Sequence, residues 1–98
     1  TGAWAGNDLG AQGFVAALQA AGKDPGEVGV VATDGNQDSL KLIQEGWQLG
    51  TAAQFFDKLG EMSVDTLVTI LETGELADKE VLVPVEWVDI NNVDEYVK

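Results

Sequence analysis

The segment Val28-Gly29-Val30-Val31-Ala32, followed at once by Thr33-Asp34-Gly35-Asn36, decides how this chain folds. Its first part is apolar without polar alternation, which is typical of a strand covered on both faces, as in a parallel sheet. Its second part is rich in Asp, Gly and Asn, which favour tight turns. The segment therefore predicts a buried parallel strand that leads into a turn at Asp34.

The sequence before this strand predicts a shorter strand and a helix. Trp4-Ala5-Gly6 has the character of a strand end, and Asn7 and Asp8 are good helix caps. From Ala11 to Ala21 the apolar residues follow the i, i+3, i+4 spacing of one helix face. Gly22 suits the left-handed position that ends such a helix.

The sequence after the strand repeats the alternation of helix and strand. We predict a helix with Leu40, Ile43 and Trp47 on one side, a strand over residues 49–53, a helix over residues 57–73 and a strand over residues 81–88. Pro84 has no backbone N–H, so the last strand should lie at an edge or cross between parts of the fold. The order β-α-β-α-β-α-β predicts an α/β fold, with a parallel sheet and flanking helices.

Composition excludes several classes of function. The 98 residues include 17 acidic and 5 basic ones, for a net charge of −12, which repels nucleic acid and anionic lipid. There is no histidine and no cysteine, so we expect no catalytic residues, no metal site and no cofactor. The N-terminus lacks the pattern of a signal peptide, and any export signal is expected upstream or already removed.

Three polar residues follow successive predicted strands: Asn7, Asp34 and Gln54. Ligands of parallel sheets bind beyond the carboxyl ends of the strands, so we expect these side chains to meet in one crevice. Together they offer one carboxylate and two amides, and none of them is basic. Such a set favours a small, neutral, polyhydroxylated ligand over a phosphate or carboxylate, which would require Arg or Lys.

An ordered set of segments resembles the C-terminal part of ribose-type (type I) periplasmic sugar-binding proteins of ABC importers. No single motif is strong, but the matches occur in the family's order along essentially the whole chain. The matching segments are Asn7-Asp8 with Gly13, Ala20-Ala21-Gly22-Lys23-Asp24-Pro25-Gly26, Val30-Val31-Ala32-Thr33-Asp34-Gly35, Gly50-Thr51-Ala52-Ala53-Gln54 with Gly60, Val81-Leu82-Val83-Pro84-Val85, and Asn92-Val93-Asp94-Glu95-Tyr96. The family's Phe before Asp-Gly is Thr33 here, and Phe55-Phe56 replaces a more polar or Pro-containing segment after Gln54.

The resemblance implies a receptor with two α/β lobes that trap a monosaccharide or polyol between them. Asn7, Asp34 and Gln54 match the family's positions that hydrogen-bond the sugar hydroxyls. Residues 1–53 would form the second half of the C-terminal lobe, residues 54–81 the hinge crossing and a helix that packs on the other lobe, and residues 82–98 the return strand and tail. The implied partners are the N-terminal lobe, which this chain lacks, and the membrane permease of an ABC importer.

Further expectations follow from the same resemblance. The protein would be periplasmic or otherwise extracytoplasmic, with a signal peptide in its precursor, and would not be an enzyme. Because the chain matches only part of such a receptor, it would be a fragment with an exposed strand edge and an apolar helix face, and self-association is a further expectation.

Other interpretations stay open on the sequence alone. The effector-binding core of a LacI-type transcription regulator shares the fold and the crevice, and a small flavodoxin-like signalling domain is a third reading. Asn7 could serve only as a helix cap and Asp34 only as a turn residue. The aromatic rings of Trp4, Trp47 and Trp87 could stack on a sugar, although packing in the core or at its rim is the more usual role of such residues.

Overall fold

The computed structural model describes residues 1–76 and 78–98. It confirms the predicted alternation of strands and helices and the α/β fold. The elements are β1 (Gly2–Trp4), α1 (Asp8–Ala20), β2 (Gly29–Asp34), α2 (Gln37–Gln44), β3 (Gly50–Gln54), α3 (Phe56–Thr73), β4 (Val85–Asp89) and a short 3₁₀ helix (Val93–Glu95). Within the described residues, no helix has both the length and the hydropathy needed to cross a membrane.

The four strands form one sheet in the order β1-β2-β3-β4. The β1–β2 and β2–β3 pairs are parallel, with Ala3 opposite Val30 and Ala32 opposite Thr51. This parallel arrangement is the one that the unalternated apolar run before Asp34 predicts, and it brings the carboxyl ends of β1, β2 and β3 to the same edge of the sheet.

Two groups of buried side chains form the core of the described residues, and they come from the sheet, from α1 and α2, and from the short 3₁₀ helix. One group joins Ala11 and Val15 of α1 to Val30 and Ala32 of β2. The other contains Leu40, Ile43, Ala53, Val88 and Val93. Full burial of a Val or Leu side chain contributes about 1.5–3 kcal/mol, so these two groups hold α1 and α2 firmly against the sheet and fix the loops that lead into both helices.

Helix ends agree with the sequence signals. Asn7 is the N-cap of α1, and its side-chain oxygen accepts a hydrogen bond from the Gly10 N–H at 2.8 Å. Asn36 caps α2 in the same way, accepting from the Ser39 N–H at 2.9 Å. Gly22 and Gly74 follow α1 and α3 with φ of +74° and +72°, a left-handed conformation that glycine adopts without a steric penalty.

Several element boundaries differ from the prediction. The last strand begins at Val85 and not at residue 81, because Pro84 cannot donate to a ladder and so lies before the paired segment. Trp47 lies beyond the end of α2, where it packs as a partly buried side chain against the Val15 and Val30 group. β2 continues to Asp34, so Asp34 closes the strand as well as starting the turn.

One face of the sheet carries exposed aromatic side chains. Trp4 and Gly50 both lie opposite Val31, so these three residues project to the same face. A Cβ on Gly50 would lie 2.2 Å from Cζ2 of Trp87, which shows that the Trp87 ring covers this glycine. We call Trp4, Val31, Gly50 and Trp87 the open sheet face, because Trp4 is 72% exposed and Trp87 48%.

The chain divides into two compact units, residues 1–54 with 86–98, and residues 55–85. In the second unit, α3 has no buried residue along its length. The apolar stripe predicted for this helix is solvent-exposed: Val64, Leu67, Val68 and Leu71 are between 44% and 76% exposed.

The C-terminal segment is tied to α2 by polar contacts. The Gln37 side chain donates to the Tyr96 carbonyl at 3.0 Å and accepts from the Lys98 N–H at 2.9 Å. The Gln44 amide donates to Asp94 at 2.7 Å. A hydrogen bond to Glu86 raises the pKa of the Tyr96 phenol to about 12, with smaller contributions from burial and from the charges of Glu86 and Glu95.

We expect Tyr96 to titrate with a midpoint near pH 12. The folded pKa lies above the unfolded value of about 10, so the stabilisation from Tyr96 is complete below pH 10 and is lost as the pH rises towards 12. Phenolate absorbance measures this directly, since the chain has a single tyrosine. Glu86→Gln should bring the midpoint back towards 10. A midpoint near 10 in the parent chain would contradict the Tyr96–Glu86 contact.

Candidate functional site

The three residues predicted as ligand-binding lie at the carboxyl-end edge of the parallel strands. Asp34 is the last residue of β2 and Gln54 the last residue of β3. Asn7 follows β1, whose ladder continues through the Ala5 N–H donating to the Val31 carbonyl at 2.9 Å. All three belong to the same compact unit, and their side chains have access to solvent.

Asp34 and Gln54 form a direct pair. The Gln54 amide Nε2 donates to Oδ1 of Asp34 at 3.0 Å across 20 residues of sequence. The carboxylate can only accept, so the orientation of the carboxamide is fixed, with its oxygen directed away from Asp34. Among the described residues, the ion pairs join Lys23 to Glu27 and Lys41 to Asp38, so a neutral amide, not a lysine, holds the Asp34 carboxylate.

The backbone at Asp34 is strained. Its φ is +131°, and it is the one non-glycine residue with positive φ in the described part of the chain. Conformations of this kind cost about 1–3 kcal/mol and persist only where the surrounding structure enforces them. The next residue, Gly35, also has positive φ, at +84°, and a Cβ there would lie 2.7 Å from the Cβ of Ala53.

The surrounding structure that enforces this turn is centred on Asp8. Its side chain is fully buried. One carboxylate oxygen accepts from the backbone N–H groups of Gly35 and Asn36, both at 2.8 Å. The other accepts from the Thr51 hydroxyl, also at 2.8 Å. Asp8 thus connects the start of α1, the turn after β2 and the middle of β3.

Sequence reasoning missed this role of Asp8. It treated Asp8 as a helix cap beside Asn7, whereas Asn7 is the cap and Asp8 is the first helical residue. The sequence did contain a signal for this role. Asp8 lies one turn before the apolar face of the helix, and Thr51 is a polar residue inside an otherwise apolar strand. Buried polar groups need partners, and these two are partners of each other.

Asn7 has two possible roles, and the structure establishes one of them. Its side-chain oxygen is engaged by the Gly10 N–H, so its Nδ2 group is the part able to donate to a ligand. The structure pairs Asp34 with Gln54, while no hydrogen bond among the described residues joins Asn7 to either of them. The ligand-binding role of all three residues stays a prediction.

Two surface clefts of about 210 and 220 Å³ lie in the unit formed by residues 55–85, between α3 and the segment after it. Leu76, Asp78 and Val81 line both of them. None of the predicted ligand residues contributes to either cleft. The crevice predicted at the strand ends is thus supported by the placement of polar groups and not by either of these two clefts.

Residues 1–76 match the periplasmic binding protein domain. Because this match covers most of the chain, the chain belongs to the periplasmic binding protein family. Among curated proteins, none matches the chain.

Solved structures of related proteins share the fold over nearly the whole chain. A periplasmic ribose ABC transporter protein of Conexibacter woesei is 30% identical, with a TM-score of 0.82 over 96% of this chain. An ABC transporter solute-binding protein of Agrobacterium vitis with bound D-fucose is 32% identical, with a TM-score of 0.85 over 97% of this chain. The myo-inositol binding protein of Caulobacter, bound to myo-inositol, is 26% identical, with a TM-score of 0.85 over 96%.

This chain spans about a third of the length of those relatives, at 32%, 32% and 31% respectively. The first of these relatives is a ribose transporter protein, and the other two are binding proteins with D-fucose or myo-inositol bound. The comparison agrees with the family that the ordered motifs around Asp34 and Gln54 indicated.

Proposed function

We propose that this chain is part of the solute-binding receptor of an ABC importer and that it hydrogen-bonds the hydroxyls of a monosaccharide or polyol through Asn7, Asp34 and Gln54. The observation that carries the proposal is the Asp34–Gln54 pair, in which a carboxylate held by an amide at 3.0 Å ends two adjacent parallel strands. Sugar-binding relatives of the same fold support it.

The pattern of donors and acceptors matches hydroxyl groups. The bond from Gln54 uses one Asp34 oxygen, so the second carboxylate oxygen can accept from a ligand. Gln54 presents its carboxamide oxygen and a second N–H, and Asn7 presents its Nδ2 group. A hydroxyl both donates and accepts, so a polyol can satisfy all of these groups. An anionic ligand would be repelled by Asp34.

Each segment of the chain is also assigned to a part of the whole receptor. Residues 1–53 would belong to the second half of the C-terminal lobe, residues 54–81 to the hinge crossing and a helix on the other lobe, and residues 82–98 to the return strand and tail. The division of the chain near Gln54 and Val85 into compact units supports this assignment. The exposed apolar stripe of α3 supports a partner surface there, supplied by the other lobe or by self-association.

The proposed setting is extracytoplasmic, with a membrane permease as partner. The names of the relatives favour this receptor role over a LacI-type regulator. The open reading frame that contains this sequence distinguishes the two possibilities. A signal peptide and an upstream α/β lobe are expected, whereas a basic helix-turn-helix upstream would contradict the receptor function.

Asp34→Ala is expected to weaken sugar binding by about 10- to 100-fold, because a hydrogen bond to a charged group contributes about 1.5–3 kcal/mol. Titration calorimetry of the natural-length protein with D-fucose and myo-inositol measures the effect. Asp24→Ala is the matched control, since Asp24 lies in the loop before β2, at the opposite edge of the sheet. Unchanged affinity in Asp34→Ala would remove Asp34 from the site, and a parent that binds no sugar or polyol would contradict the receptor function.

A further inference from the structure

The buried carboxylate of Asp8 has no cation as partner in the described structure, and three hydrogen bonds stabilise it instead. Two of them come from the consecutive N–H groups of Gly35 and Asn36, and the third comes from Thr51, all at 2.8 Å. A buried charge is costly unless it is hydrogen-bonded in this way. Helix capping is already performed by Asn7, so capping does not account for a buried acid at this position.

The two backbone bonds act directly on the conformation of Asp34. The Gly35 N–H belongs to the peptide group that follows Asp34, so a fixed acceptor for it fixes the rotation about the Asp34 Cα–C bond. The ladder pairing of Thr33 and Asp34 with β3 holds the chain on the other side of Asp34, so the two constraints together keep this residue in a strained region with φ of +131°. The direction of the Asp34 side chain depends on this backbone, and Gln54 meets the carboxylate in that direction.

The third bond connects the same carboxylate to β3. Thr51 lies in the strand that ends at Gln54, so Asp8 links the turn carrying Asp34 to the strand carrying Gln54. Asn7 is its immediate neighbour in sequence. One buried side chain is therefore bonded to, or adjacent to, each segment that presents a predicted ligand residue.

We propose that Asp8 is a positioning residue of the ligand site: through its two backbone bonds it holds the strained Asp34 turn in the arrangement that presents Asp34 to Gln54 and to the sugar, without touching the sugar itself. This inference rests on the proposed function. It assigns ligand affinity, and not only stability, to a side chain that is fully buried.

Three variants separate positioning from stability. Asp8→Ala removes all three bonds. Asp8→Asn keeps the shape and one carbonyl oxygen for the Gly35 and Asn36 N–H groups, and Thr51 can then accept from its amide. Thr51→Val removes the bond to β3 but leaves both backbone bonds in place, so it should reduce stability with little effect on the turn.

Titration of the natural-length protein with D-fucose and myo-inositol is expected to show affinity reduced by about 10- to 100-fold in Asp8→Ala, because a misdirected Asp34 should lose the same charged hydrogen bond to the ligand as Asp34→Ala. Asp8→Asn should recover most of this affinity, and Thr51→Val should bind like the parent. In an Asp34→Ala background, substitution of Asp8 should have no further effect, because it acts through Asp34. Parental affinity in folded Asp8→Ala would overturn the inference.

A ligand-free measurement keeps the test independent of the proposed function. The NMR coupling between the amide and Hα protons of Asp34 distinguishes positive φ from extended backbone. The parent, Thr51→Val and Asp8→Asn should show the coupling constant of a positive φ, and Asp8→Ala should show that of an extended backbone. If the parent binds no member of a panel of monosaccharides and polyols that includes D-fucose and myo-inositol, the receptor function fails, and this coupling alone decides whether Asp8 holds the turn. Should Asp8→Ala fail to fold, the other two variants still test the positioning role. An extended Asp34 in Thr51→Val would refute it. Parental affinity in a folded Asp8→Asn whose Asp34 has become extended would also refute it.

Discussion

Replacement of Asp8 by alanine is expected to lower the free energy of unfolding of this chain by about 3–5 kcal/mol, because three donors lose their acceptor and each buried donor left unsatisfied costs about 1–3 kcal/mol. The side chain is fully buried, and its removal leaves two backbone N–H groups and the Thr51 hydroxyl without acceptors. Domains of this size have a total stability of only about 5–15 kcal/mol, so the variant should lie close to its unfolding threshold.

Urea unfolding followed by circular dichroism measures this loss. Asp38→Ala is the matched control, because Asp38 also lies in the first turn of a helix but is 79% exposed and has only a 4.0 Å ion pair with Lys41. Its expected effect is below about 1 kcal/mol. Equal unfolding midpoints for the two variants would show that the Asp8 bonds do not stabilise the fold.

The second large effect is expected for Gly35→Ala, with a loss of about 2–5 kcal/mol. Part of it is the penalty of about 1–2 kcal/mol for an L-residue in the left-handed region, since φ of Gly35 is +84°. The rest is steric: the new Cβ would lie 2.7 Å from Cβ and 3.0 Å from Cα of Ala53. That neighbour belongs to β3 and cannot move without disturbing the sheet, and overpacking of this kind costs about 1–3 kcal/mol.

Two other glycines separate these contributions. Gly22 has φ of +74° and nothing within 4 Å of an added Cβ, so Gly22→Ala carries the conformational penalty alone. Gly13 lies within α1 with equally open space, so Gly13→Ala should stabilise the chain by about 0.5–1 kcal/mol. The expected order of stability is Gly13→Ala, parent, Gly22→Ala, Gly35→Ala. If Gly22→Ala were as destabilising as Gly35→Ala, the contact with Ala53 would contribute nothing to the loss of stability in Gly35→Ala.

The alternation of elements was predictable because it depends on local patterns. The unalternated run before Asp34 indicated a parallel strand, and the spacing from Ala11 onwards indicated a helix. The start of the last strand was wrong by four residues, at Val85 instead of residue 81. The apolar character of residues 81–84 looked like a strand, but pairing requires N–H donors, which Pro84 does not supply.

The candidate site was predictable only as far as strand ends could be located. The rule that ligands bind at the carboxyl ends of parallel strands selected Asp34 and Gln54, and the structure brings them into contact. Asp8 could not be found in this way, because its partners lie 27, 28 and 43 residues away. Hydrogen bonds between residues so far apart in sequence depend on how β2 and β3 are arranged in space, and no local sequence pattern predicts that arrangement.

The tryptophan fluorescence of the open sheet face can report whether this face is covered. Indole emission moves to shorter wavelength when the ring leaves water, and Trp4 is 72% exposed whereas Trp47 is already packed against the core. Any polypeptide segment that covers this face must dehydrate Trp4. A shift of the Trp4 emission maximum to shorter wavelength therefore indicates that the open sheet face is covered. Comparison with Trp4→Phe identifies the contribution of that ring to the spectrum.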